Sequence, residues 1–218
     1  MFTRLAGRYD RANRWMTWGQ DIKWRREVLD RAQLPKGGRL LDIGTGTGDL
    51  ALEAIHRDDT SFIIGADFTP EMMQVGRKRE GGGSICWVTN NALDLPYGSG
   101  SFDCVVSGYL LRNVSDVQTA IDEQYRVLKA GGRMVCLDTA PPRADIWHLP
   151  VRLYLRFMIP IIGGWVAGDQ TAYRYLPEST ARFLTGTELA QRMRKAGLRN
   201  VGYRSFMGGS MAIHWGDK

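Results

Sequence analysis

Leu40-Leu41-Asp42-Ile43-Gly44-Thr45-Gly46-Thr47-Gly48-Asp49-Leu50 is the stretch that decides the fold. An apolar run ends at Ile43, three glycines follow at alternate positions, and a helical pattern of apolar residues comes next. A strand that runs into glycines and then into a helix marks a turn built to hold a nucleoside or dinucleotide. Ligands of open α/β sheets lie beyond the carboxyl ends of the strands. Glycines there let the backbone approach without a Cβ clash.

Two ligand classes compete for such a turn. The dinucleotide pattern is G-x-G-x-x-G, with pyrophosphate at the helix N-terminus. Here Asp49 stands where the third of those glycines would be, and Gly48 precedes it. A carboxylate is a poor neighbour for pyrophosphate. Asp49 and Asp42 suit a ligand carrying an ammonium and a sulfonium, which is S-adenosylmethionine. Asp67 closes the next apolar run, Gly65-Ala66-Asp67-Phe68, about 20 residues after the glycines, where an acidic residue accepts bonds from ribose hydroxyls. Both cofactors carry that ribose, so Asp67 does not separate them. Further on, Asn91-Ala92 ends a third strand pattern. The Asn91 amide oxygen can accept from an adenine amino group; Asp94 is an alternative reader, and an Asx turn is the plain structural reading. The expected cofactor site is Asp42, Gly44, Gly46, Thr47, Gly48, Asp67, Phe68, Asn91, Ala92 and Gly108.

Outward from the glycines the pattern alternates. Strands are expected at 39–43, 61–67, 84–88, 102–107 and 133–138, with helices at 46–56, after Thr69-Pro70, and at 116–129, the last ended by Ala130-Gly131-Gly132. Pro141-Pro142 interrupts the rhythm. A helix over 185–196, capped by Thr185 or Thr187, and strands at 200–206 and 210–215 around Met207-Gly208-Gly209 complete the chain as a hairpin. This alternation predicts a mostly parallel seven-stranded sheet with helices on both faces; with the glycine turn and its acidic flanks it is read as a Rossmann-like class I methyltransferase fold. One domain is expected. It has an N-terminal helical cap (1–35), a cofactor-binding core (36–142), a lid insertion (143–183), and a C-terminal helix with a strand hairpin (184–218).

The 218 residues suffice for one such domain. A net charge of +6 suits nucleic acid or an anionic membrane surface equally. Cys86, Cys104 and Cys136 are scattered among apolar neighbours and read as reduced core thiols of a cytoplasmic protein; no Cys/His spacing suits a metal. The N-terminus has no apolar run of the signal-peptide type. The segment 149–166 is apolar but is interrupted by Arg152, Arg156, Pro160 and two glycines, so it reads as a buried helix or a lid touching lipid rather than a span.

Several blocks narrow the class. They are Tyr9-Asp10-x-x-Asn13, Trp15-Met16-Thr17-Trp18-Gly19, Trp24-Arg25, Leu111-Arg112-Asn113-Val114, Tyr173-Arg174-Tyr175-Leu176-Pro177-Glu178-Ser179, and Gly208-Gly209-Ser210-Met211-Ala212-Ile213-His214. Together they resemble the menaquinone/ubiquinone biosynthesis C-methyltransferase family over essentially the whole chain. The stretches 134–142 and 156–160 look closest to its demethylmenaquinone methyltransferases. The resemblance implies methylation of a ring carbon of a reduced polyprenyl quinol, foremost demethylmenaquinol to menaquinol. A 2-polyprenyl-6-methoxy-benzoquinol or a soluble aromatic substrate stays open. It carries Thr47, Asp67, Asn91 and Ala92 over as cofactor contacts. Where the family has a cofactor-contacting serine this chain has Gly108. Where the family reads F-G-L-R-N-V this chain has Tyr109-Leu110-Leu111-Arg112-Asn113-Val114, and Phe183-Leu184 replaces Phe-Pro.

A ring carbon becomes nucleophilic when an adjacent hydroxyl is deprotonated, so the site needs a cation for the phenolate. Arg112 is always charged and donates in a fork, and Asn113 beside it can orient a hydroxyl or a water. The acceptor of the ring proton is sought among Tyr9, Asp138, Tyr175 and His214, or water held by Arg112 and Asn113. Tyr109, Asp138 and Tyr175 are expected around the substrate. The expected partners are the quinol and, through the basic N-terminal segment and the 146–168 stretch, the inner face of the cytoplasmic membrane. Nucleic acid is not expected: Ser107-Gly108-Tyr109-Leu110 stands where an N-P-P-Y-type tetrapeptide would, and no RNA-binding module is appended. A homodimer is allowed.

Overall fold

The computed structural model describes Thr17, residues 19–141, Thr180 and residues 183–218. Its elements are α1 (Gln20–Ala32), β1 (Arg39–Ile43), α2 (Asp49–Arg57), β2 (Phe62–Asp67), α3 (Pro70–Arg77), β3 (Cys86–Thr89), β4 (Phe102–Gly108), α4 (Val117–Val127), β5 (Leu128–Thr139), α5 (Gly186–Lys195), β6 (Arg199–Phe206) and β7 (Met211–Asp217). The expected insertion, apart from Thr180 and Phe183, lies outside the described residues, as do Tyr9 and Tyr175.

Seven strands form one sheet in the order β3-β2-β1-β4-β5-β7-β6. The first five run parallel, and β7 is antiparallel to both β5 and β6. The order reverses between β1 and β4, which opens a crevice at their carboxyl ends. Side chains alternate across the sheet. Leu40, Ile63, Cys104, Val106 and Val135 pack under α1 and α2. Leu41, Ile64, Val105, Met134 and Cys136 pack under α4 and α5. Each face therefore has its own apolar core, and the apolar runs of β1 and β4 are buried on both sides.

Element ends differ from expectation for local reasons. The helix expected from 46 begins at Asp49, because Gly44, Gly46 and Gly48 take φ of 69°, 57° and 85°. Those values belong to the left-handed region and cannot join a right-handed helix. The helix expected to reach 129 ends at Val127, since Leu128 already pairs with Phe102 in the sheet. Gly131 and Gly132 are then held by Lys218 through two backbone bonds of 2.9 Å, so they belong to β5 and do not cap α4. Thr185, not Thr187, caps α5 in a reciprocal box with Glu188. Cys104 and Cys136 are core thiols as expected, but Cys86 is exposed because β3 is an edge strand. Among the described residues no helix is long and apolar enough to cross a membrane.

Candidate functional site

A cleft of about 570 Å³ lies at the carboxyl ends of β1, β2, β3 and β4. Nine of the ten expected cofactor residues line it: Asp42, Gly44, Gly46, Thr47, Asp67, Phe68, Asn91, Ala92 and Gly108. Gly48 does not. Its φ of 85° turns the chain into α2, and the indole of Trp87 fills the space where its side chain would project. Gly48 is a packing glycine and not a wall of the cleft.

Asp42 is the unusual group of the wall. It is buried in β1, 1% exposed. Its Oδ2 accepts from Thr45 Oγ1 at 2.7 Å and from Ala51 N at 3.2 Å. Its Oδ1 is buried without a hydrogen-bond partner among the described residues. Burial pushes the carboxyl up to about 7, with the charges of Asp67 and Asp49 adding to the rise and the bonds from Thr45 and Ala51 opposing it.

Asp67 stands at the end of β2 with a distinct task in each oxygen. Oδ2 accepts from Gly46 N at 2.8 Å and Oδ1 from Thr69 N at 2.8 Å. The carboxylate thus shapes the glycine turn and starts α3, while facing the cleft. Phe68 follows it with 77% of its surface exposed, a large apolar ring left uncovered at the rim. Asn91 also reaches the cleft, but its Oδ1 accepts from Leu93 N at 3.0 Å. The oxygen expected to read adenine closes an Asx turn, because that turn lets the chain leave β3.

After β4 the wall is aromatic and strained. Tyr109 has φ of 59°, rare for a residue with a Cβ. Its N–H donates to Leu137 O and its carbonyl accepts from Asn113 Nδ2, each at 2.7 Å. Asn113 therefore fixes the Tyr109 backbone while lining the cleft. The Arg112 guanidinium lies 5.0 Å from the Tyr109 ring centroid and 3.8 Å from Asp138 Oδ1. Asp138 Oδ2 accepts from Arg112 N at 3.2 Å. Burial pushes the Asp138 carboxyl up, and the Arg112 charge pulls against it. Neither side chain lines the cleft; they form a buried pair behind Tyr109, with Arg112 Nη1 lacking a hydrogen-bond partner among the described residues. The expectation that Asp138 meets substrate directly is corrected: its oxygens hold Arg112 and the Thr139 N–H.

His214 is also corrected. It lies in the middle of β7, opposite Cys136, not at a strand end. It is 2% exposed, bonded through Nε2 to Gly186 O at 2.8 Å and stacked on Tyr203. Burial pushes the imidazole down to about 4. It cannot collect a proton from a ring in the cleft.

Leu110 lines the cleft, as its replacement of the family glycine beside the methyl-transfer site implied; Arg25 and Asn90 also line it and were not anticipated. Leu110 covers Gly44 so closely that a Cβ there would lie 3.0 Å from Leu110 Cδ1. Arg25 comes from α1, far away in sequence; its place beside Trp24 in a family block was the only hint.

With this geometry in view, comparison with known proteins is decisive. The model of the ubiE/COQ5 methyltransferase family matches residues 1–218. The chain belongs to this family. It is a methyltransferase that uses S-adenosylmethionine. It is 45% identical over 219 residues to the ubiquinone/menaquinone biosynthesis C-methyltransferase UbiE of Desulfotalea psychrophila, covering all of this chain and 89% of that one. It is 40% identical over 220 residues to the demethylmenaquinone methyltransferase of Thermus thermophilus, covering both chains completely. Among solved structures, a SAM-dependent methyltransferase of Thermotoga maritima superimposes with TM-score 0.66 at 22% identity over the whole of both chains. Phosphoethanolamine N-methyltransferase 2 of Haemonchus contortus, in complex with S-adenosyl-L-methionine, gives TM-score 0.70 at 15% identity, covering 95% of this chain and 56% of that one. These two likenesses establish the fold of the family member described here.

The cleft fits the family's cofactor. Its glycine wall at Gly44 and Gly46 carries no side chain, and the buried Asp42 Oδ1 lacks, among the described residues, the partner that an ammonium would provide.

Proposed function

We propose that this enzyme methylates a ring carbon of a reduced polyprenyl quinol of the demethylmenaquinol type. The observation that carries this is end-to-end similarity to relatives named for demethylmenaquinone methylation, at 40% identity with no unmatched segment in the Thermus protein. In this reading adenine lies against Asn91, Ala92 and Phe68, the ribose against Asp67, and the methionyl arm along Gly44, Gly46, Thr47 and Asp42.

When bound, S-adenosylmethionine supplies an electrophilic methyl group on its sulfonium. Tyr109 and Leu110 form the wall against which a flat ring is positioned, and positioning supplies much of the rate of such a transfer. The quinol hydroxyl beside the accepting carbon would give its proton to water held at Asn113, and that ring carbon would give its own proton to the same water once methylated. Arg112 holds a fixed positive charge behind Tyr109, and the field of that buried cation favours the phenolate that develops in the cleft. Asn113 orients water at the cleft mouth, and water is the first acceptor of the ring proton. Tyr9 and Tyr175 lie outside the described residues, and their family blocks support a role around the ring.

A polyprenyl tail places the substrate in a bilayer. The basic residues of the first 26 positions and the apolar 149–166 stretch support attachment to an anionic membrane surface at the cytoplasmic face. Retention on anionic liposomes at low salt, lost at high salt, is the expected result.

The broader name of the Desulfotalea relative favours a benzoquinol as second substrate. Reduced demethylmenaquinol and the 2-polyprenyl-6-methoxy-benzoquinol, assayed side by side, test the proposal. Product from the naphthoquinol is expected. Product from the benzoquinol alone would overturn it.

A further inference from the structure

The cleft has two ends of different chemistry. Toward β3 it offers Asn90, Asn91 and Ala92, amide and backbone groups without charge. Toward β4 and α1 the charges gather: Asp42, Asp49 and Arg25. A cofactor whose base lies at the β3 end must extend its amino-acid arm to the other. That arm carries an ammonium and a carboxylate. Asp42 Oδ1, with no hydrogen-bond partner among the described residues, suits the first and repels the second.

Arg25 is the cation of the wall there among the described residues. Its Nη1 lies 2.7 Å from Asp49 Oδ2 and 3.0 Å from Asp21 Oδ2. Asp49 Oδ1 is held by Arg79 Nη1 at 2.6 Å. Asp21 is 1% exposed, accepts from Thr17 Oγ1 at 3.0 Å, and lies one helical turn before Arg25. A buried carboxylate needs a charged partner and hydrogen bonds to offset its desolvation, and Arg25 and Thr17 supply them to Asp21. Docking α1 onto α2 does not require this cluster, because Arg57 already ties the two helices through Asp30 at 2.7 Å and the Arg26 carbonyl at 3.1 Å. Asp21 and Asp49 instead fix the guanidinium at the cleft wall. A planar, permanently charged fork is the best match for a carboxylate.

We propose that Arg25, aimed by Asp21 and Asp49, binds the α-carboxylate of the cofactor's methionyl arm. The proposal rests on the cofactor placement given above. It makes α1 part of the cofactor site.

The test compares two ligands by calorimetry: S-adenosylhomocysteine and its decarboxylated form, S-adenosyl-3-thiopropylamine. Arg25→Gln is expected to weaken S-adenosylhomocysteine at least tenfold and leave the decarboxylated analogue within twofold, with Arg25→Lys intermediate. Arg25→Gln/Asp21→Asn removes the buried unpaired carboxylate and keeps the test valid should the single variant fold poorly. Arg57→Gln, which cuts only the other tie, should leave both affinities unchanged. Equal weakening of both ligands would reduce Arg25 to a clip between helices and overturn the proposal, as would no weakening of either. Wild-type enzyme that bound neither ligand would overturn the cofactor placement itself.

Discussion

The indole of Trp87 occupies the space that a side chain on Gly48 would need, and it does the same at Gly76. Trp87 Nε1 donates to Gly82 O at 2.9 Å, which locks the ring in place. The glycine turn is therefore shaped from beneath by one aromatic side chain on β3, as well as by its own backbone freedom. Gly48→Ala adds a Cβ at φ 85° against that ring. Left-handed strain and overpacking together cost about 3 kcal/mol. Thermal unfolding should shift down by several degrees. Trp87→Leu, which clears the space, should make the same alanine less harmful in a double-mutant cycle; additivity of the two losses would show that the contact does not matter.

In the proposed placement the buried Asp42 links cofactor affinity to pH. Its folded pKa of about 7 lies above the unfolded value of 3.8, so the folded protein binds the proton more tightly. Its contribution to the free protein's stability therefore falls as pH rises from about 4 through 7. His214 acts in the opposite sense. Its folded pKa of about 4 is below the unfolded 6.5, so its contribution falls as pH drops from about 6.5 to 4. The difference between wild type and Asp42→Asn isolates the first. The variant should gain in melting temperature relative to wild type between pH 5 and pH 8, and should bind S-adenosylhomocysteine at least tenfold more weakly at pH 8. Wild-type affinity should rise several-fold from pH 6 to pH 8 in calorimetry as Asp42 ionises. A flat profile would remove Asp42 from the site.

Leu110 lies on Gly44 in the wall of the cleft, at a position where the family pattern has glycine. Leu110→Gly uncovers that backbone and removes the apolar stop for the ring. We expect kcat/KM for the quinol to fall about tenfold, a loss of ~1.4 kcal/mol in transition-state stabilisation. Affinity for S-adenosylhomocysteine should change less than twofold. A larger loss of cofactor binding than of turnover would place Leu110 with the cofactor.

Arg112 and Asp138 must be tested as a pair. Arg112→Ala leaves a buried carboxyl unpaired, which costs about 3–5 kcal/mol. Arg112→Ala/Asp138→Asn relieves that cost. The double variant should fold and bind S-adenosylhomocysteine normally while kcat falls at least tenfold, through loss of the positive field on the phenolate. Full activity would exclude Arg112 from the mechanism.

His214→Gln provides the contrast. The ring bonds Gly186 O, stacks on Tyr203 and does not line the cleft. Melting temperature should fall, while kcat and its pH profile should not move. A lost pH limb would restore His214 as proton acceptor.

The alternation of apolar and polar residues, read along the chain, determined the order of strands and helices, because a period of two or 3.6 is a local property. The glycines and the acidic residues at strand ends determined nine members of the cleft for the same reason: ligands of this sheet meet strand ends, and strand ends are visible in sequence. What required tertiary structure was every role that depends on neighbours remote in the chain. Gly48 belonged to the same motif as Gly44, yet only the approach of Trp87 from β3 made it a packing glycine. Asn91 could close a turn or read a base, and the path out of β3 engaged its oxygen with Leu93. His214 and Asp138 were plausible acids and bases by residue type, but the sheet buried both. Arg25, anticipated only as part of a block, was brought to the glycine turn by the packing of α1 on α2. Burial, pairing and the pKa values that follow from them are properties of the packed molecule, and no local pattern encodes them.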